Sequence, residues 1–111
     1  MVTLAVIFPP SQPPERLGAV AAATESAGLE QLWIWEDCFA ESGIATAAAI
    51  LAATRRVTVG IGLLPVPLRN VALTAMEIAT LSRLFPGRLT PGVGHGCWTG
   101  WARPAPGRTP R

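Results

Sequence analysis

Four short β-rich apolar runs punctuate the chain at nearly even intervals: VTLAVIF (2–8), QLWIW (31–35), RVTVGIGLL (56–64) and RLTPGVG (88–94). Between them lie three longer, Ala-rich stretches with helical spacing, at 14–28, 41–55 and 71–85. The order β-α-β-α-β-α-β dictates a parallel sheet joined by right-handed crossovers, because adjacent parallel strands cannot be linked by tight hairpins. Such a sheet needs helices on its faces or closure into a barrel. Four strands and three helices are compatible with a small open sheet and with half of a barrel.

The punctuation supports each segment. Pro9 and Pro10 stop the first run, which reads as a strand buried on both faces. Pro14 and Glu15 suit the first turn of a helix, and Gly28 suits its stop. Ser42 and Asn70 are placed to cap the second and third helices, and Pro86-Gly87 to end the third. Pro91 sits awkwardly in the fourth strand, since proline cannot donate to a ladder. The tryptophans of WIW are read as covering opposite faces of the second strand.

Half of the 111 residues are apolar and 14% are charged, a composition that excludes extensive disorder. No apolar run is long enough to span a bilayer, and MVTLAVIFPP has no positive region ahead of its apolar stretch. The expectation is a cytoplasmic protein with no membrane partner. Cys38 and Cys97 lack metal-site spacing and there is one histidine, so no metal site is expected. Cys38 reads as a packed thiol. Residues 1–96 hold six Arg and seven acids, a net of about −1. The last fifteen residues, CWTGWARPAPGRTPR, add three Arg and no acid. The basic balance therefore belongs to the tail, and no nucleic-acid partner is expected for the body.

In α/β folds ligands collect at the C-terminal ends of the strands. The residues there are Phe8, the acids Glu36 and Asp37, Gly62 to Leu64, and Gly94, His95 and Gly96. Glu36 or Asp37 could hold a cofactor or move a proton, or could equally be a helix cap or a solvated loop acid. His95, between two glycines, could polarise a substrate or accept a proton. GVGHG also looks like the start of a dinucleotide fingerprint, but no helix able to hold phosphates follows it.

The stretch RVTVGIGLLPVPLRNVALTAMEIATLSRLFPGRLTPGVGHG (56–96), with LAVIFPP and GLEQLWIWED before it, resembles the luciferase-like monooxygenase family. The resemblance covers residues 1–96. It implies an α/β fold made of the first four strands and three helices of a (β/α)8 TIM barrel. It implies an oxidoreductase that uses a reduced flavin or deazaflavin, for hydride transfer or monooxygenation of a small-molecule substrate. Coenzyme F-420 is the expected cofactor and FMN the alternative, and full-length relatives are expected to be homo-oligomers. It places a bulge, often with a non-proline cis peptide, near Gly62, Leu63 and Leu64 to prop the ring. Phe8, Gly62, Leu63, Leu64, Gly94 and His95 become candidate cofactor-binding residues. His95, Asp37 and Glu36 become candidates for orienting the ring or substrate and shuttling a proton.

The tail departs from that family, whose members continue with a pattern like V-x-(D/E)-W-M-x-Q-x-G-x-R followed by Ser-Pro. Restoring one G before a GC-leaning back-translation of CWTGWARPAPGRTPR gives V-L-D-W-M-G-Q-A-G-A-R-A-D-S-P. The V, L, D and first G are forced once the base is restored; codon choice permits the rest. Residues 97–111 are therefore expected to be a frameshift product, and the chain a truncated, inactive fragment. The alternative is a non-catalytic α/β interaction module with a genuine basic Pro/Arg tail.

Overall fold

The computed structural model describes residues 1–96. They form β1 (Ala5–Ile7), α1 (Leu17–Ser26), β2 (Gln31–Ile34), α2 (Gly43–Ala53), β3 (Thr58–Pro65), α3 (Val71–Leu84) and β4 (Leu89–Gly94). Single 3-10 turns at Pro14–Arg16 and Val66–Leu68 lead into α1 and α3. The strands make one parallel sheet in the order β1-β2-β3-β4. This is the α/β architecture expected from the alternation, with four strands and three helices.

The helix ends follow the chemistry of their residues. Ser42 Oγ accepts from Ala45 N at 3.3 Å, and Asn70 Oδ1 accepts from Ala72 N and Leu73 N. Gly28 ends α1 at φ 73°, with Gly28 N donating to Glu25 O and Leu29 N to Thr24 O. That pair of bonds is the Schellman arrangement, and the left-handed position favours glycine. Arg88 closes the C-terminus of α2. Its guanidinium donates to the carbonyls of Leu51, Thr54 and Val57 and to the Thr54 hydroxyl. Glu25 holds the turn between α2 and β3, accepting from Arg55 N and Arg56 N. Those backbone bonds, Arg56 first, hold its carboxyl below the ordinary carboxylate value of 4.5.

The core lies between the sheet and the three helices. Leu32 and Ile34 of β2, and Val59, Ile61 and Leu64 of β3, pack there with Ala21 of α1, Ala47, Ile50 and Leu51 of α2 and Leu81 of α3. The opposite side of the sheet is open. This corrects the expectation that β1 is buried on both faces. Val6 packs on the core, but Ile7 is 63% exposed, because β1 is an edge strand with no neighbour and no cover on that side. The reading of WIW needs the same correction. Residues two apart share a face, so Trp33 and Trp35 both lie on the open side while Ile34 points into the core. Pro91 is accommodated in β4, aligned with Ile61, because β4 is the other edge. The family's non-proline cis peptide is absent: all peptide bonds among the described residues are trans. No helix among them is long and apolar enough to cross a membrane. The expected domain division at Gly96 puts 97–111 outside the described residues.

Candidate active site

The C-terminal ends of β3 and β4 carry one irregularity. Ile61 pairs with Pro91 and Leu64 with Val93, so three steps along β3 match two along β4. The extra residue makes a bulge, which bends a strand and re-aims its side chains. It falls at Gly62-Leu63, within the segment where the family resemblance placed it. Gly62 is exposed and Leu63 half-buried, whereas Leu64 turns back into the core.

The floor around the bulge is made of glycines, and each close approach has a named cause. A Cβ at Gly60 would overlap the indole of Trp33, which lies against it. A Cβ at Gly92 would stand 2.7 Å from Ile61 O and 2.9 Å from Gly62 O, so β4 can reach the bulge only as glycine. A Cβ at Gly94 would overlap the Leu63 side chain. Each of these glycines is thus covered by a neighbour, and what faces outward on the open side of the sheet is a shelf made by the bulge at Gly62-Leu63 and the indoles of Trp33 and the 37%-exposed Trp35. Trp33 is anchored there by its indole N–H, which donates to Gln31 Oε1 at 3.0 Å.

The sequence candidates divide between the two sides of the sheet. Asp37 is exposed and continues the Trp33, Trp35 alternation. Its Oδ1 accepts from Cys38 N at 2.8 Å, which fixes the carboxylate at the start of the loop. His95 is exposed and directly follows Gly94 at the end of β4. The other three candidates turn inward. Phe8 is 4% exposed and belongs to the core. Leu64 packs in the core on the helix side, near Gly43 of α2. Glu36 is buried, with Oε2 accepting from Gly43 N at 2.7 Å and Oε1 facing Arg69 Nη1 at 3.5 Å. The helix-cap reading of Glu36 is thus the one its contacts match, and a side chain so engaged is not presented to the shelf.

Two features escaped the sequence reading. Arg69, in the loop after β3, pairs with both Glu36 and Glu77; only the tertiary fold brings those carboxylates to it. Phe39 holds φ 65° and an 84%-exposed ring in the β2–α2 loop. A bulky residue in the left-handed region is rare, and no local sequence signal marks it.

The comparisons with known proteins agree with this geometry. A profile described as luciferase-like monooxygenase matches residues 2–99. The chain is 27% identical over 95 residues to a 5,10-methylenetetrahydromethanopterin reductase of Methanolobus tindarius, covering 86% of this chain and 29% of that protein. Among solved structures it resembles the coenzyme F-420-dependent tetrahydromethanopterin reductase of Methanopyrus kandleri, with TM-score 0.79, 24% identity and coverage of 90% of this chain and 29% of that one. It also resembles an FMN complex of the oxygenating constituent of 3,6-diketocamphane monooxygenase from Pseudomonas putida, with TM-score 0.78, 20% identity and coverage of 88% and 30%. The chain therefore spans about three-tenths of the length of these relatives, and its sheet and helices correspond to the first half of a TIM barrel. With the profile matched over nearly all of its length, the chain belongs to the luciferase-like monooxygenase family.

Proposed function

We propose that residues 1–96 are the first half of a barrel oxidoreductase in which the glycine shelf at the β3 bulge receives the ring of the deazaflavin coenzyme F-420. The observation that carries this reading is the β3 bulge itself, where Gly62 is exposed beside half-buried Leu63 and β4 approaches so closely that Gly92 has no room for a Cβ. A planar heteroaromatic ring fits such a floor, with the indole of Trp33 beside it. The reductase structure named for coenzyme F-420 favours the deazaflavin, and the FMN complex keeps FMN as the alternative. The bound coenzyme would supply the redox chemistry, hydride transfer or oxygen activation.

The chain's own groups have simpler tasks. Gly62 and Leu63 support one face of the ring. Trp33 and Trp35 keep water from its edge on the β2 side. Asp37 and His95, exposed past the ends of β2 and β4 with β3 between them, can hold or move a proton at a small-molecule substrate. Glu36 acts on the site through the backbone, its N–H donating to Leu63 O. Residues 97–111 are a frameshift product, and without the remaining strands the chain does not bind the coenzyme usefully.

A protein expressed from the gene with one G restored at the Gly96 codon tests this directly. Coenzyme F-420 fluorescence should be quenched with a Kd on the order of micromolar, and Gly60→Val should abolish the quenching. The 111-residue chain alone should give none. Binding by that chain, or restored protein that binds neither F-420 nor FMN, overturns the proposal. Binding of FMN alone replaces the coenzyme and leaves the site.

A further inference from the structure

Three elements meet at one residue, Glu36. The backbone N–H of Glu36 donates to Leu63 O at 3.0 Å, and Leu63 stands in the bulge. Its Oε2 accepts from Gly43 N, the first residue of α2, at 2.7 Å. Its Oε1 makes no hydrogen bond among the described residues and faces Arg69 Nη1 at 3.5 Å. Arg69 in turn donates to Glu77 of α3 through Nη2 at 2.7 Å. Gly43 leaves the room: a Cβ there would sit 3.3 Å from both Glu36 Cβ and Leu64 Cδ2. Glu36 is 4% exposed, and a carboxylate that deep is costly unless paired. Ion pairs of this kind give little net stability over apolar replacements, so the arrangement is better accounted for by what it holds in place.

The geometry points to Glu36 as a positioning residue that, with Arg69, locks the β2–α2 loop, the β3 bulge and the β3–α3 loop into one unit. It touches neither substrate nor coenzyme. Its backbone bond fixes Leu63, and its side chain keeps that backbone from moving relative to α2 and Arg69. Asp37, the next residue, is thereby aimed to the open side. The inference rests on the proposed reading only for what lies on the shelf; the clamp itself is present without any coenzyme.

Amide hydrogen exchange on the 111-residue chain, read peptide by peptide, tests it with no ligand added. Arg69→Met leaves the Glu36 charge buried without its partner. Exchange in peptides covering 36–43 and 62–70 should rise roughly tenfold or more, while peptides of α1 change by less than about threefold. The double variant Glu36→Gln with Arg69→Met keeps an acceptor for Gly43 N and removes the stranded charge. It should return the peptide covering 36–43 to within about threefold of the original chain, while the peptide covering 62–70, which has lost its tie to residue 36, stays raised. A uniform rise across all peptides, or a double variant that restores 62–70 as well as 36–43, overturns the clamp. If Arg69→Met does not fold, the double variant decides: protection at 36–43 with raised exchange at 62–70 supports the proposal, and protection at both contradicts it. Failure of coenzyme binding in the restored protein with these exchange results intact would sink the shelf and spare the clamp.

Discussion

Gly60 is the residue on which the shelf most depends, because the Trp33 indole occupies the space of its missing side chain. Gly60→Val should destabilise the chain by about 1–3 kcal/mol, as overpacking does, measured by pulse proteolysis at low protein concentration. Gly18, which meets nothing within 4 Å of a built Cβ, is the control: Gly18→Ala in a helix should gain up to about 1 kcal/mol. Glu25 gives a pH-dependent case. Its folded carboxyl titrates below its ordinary value, so its contribution is present above pH 4.5 and is lost as pH falls through the folded value. Glu25→Gln should therefore lower stability at neutral pH and flatten its acid dependence below 4.5, in denaturation curves taken across that range. Caps such as Ser42, Asn70 and Gly28 were legible because their chemistry is local. The Trp33–Gly60 contact was not, since it depends on the register that sets Trp33 beside Gly60.

Among elements, α2 is the one most tied to its surroundings: Ser42 and Glu36 hold its first turn and Arg88 its last. Arg88 also stacks over the Phe85 ring at 5.7 Å. Arg88→Ala leaves several carbonyls without donors and should cost about 1–3 kcal/mol, read as loss of protection in peptides of α2 and early β3. Arg88→Lys should recover part of this, since an ammonium cannot reproduce the fork. The strand-helix alternation was readable because each period and stop is written in a few adjacent residues. The extent of β1 was not. Its apolar pattern suggests burial on both faces, but only a strand on its far side and a cover on the open face could supply that, and among the described residues Ala5–Ile7 has β2 alone beside it. Nor could local pattern assign Glu36, whose partners come from α2 and the loop after β3.

At the scale of the whole molecule, the side of the sheet and the two edges, β1 and β4, left uncovered among the described residues decide behaviour in solution. Val2, Leu4 and Ile7 are exposed along one edge and Val93 along the other. Exposed apolar patches and unpaired parallel edges promote association. Light scattering of the purified chain should show species well above its 11.6 kDa mass, with enhanced binding of a hydrophobic dye. The measurement that tests the central claim most directly is the nucleotide sequence from the Gly96 codon through roughly 600 bases beyond, enough for the rest of a barrel. The account predicts that one added G at that codon opens a frame encoding four further strand-helix units of the same family. Absence of family sequence in any frame downstream would contradict it, and residues 97–111 would then need a function of their own.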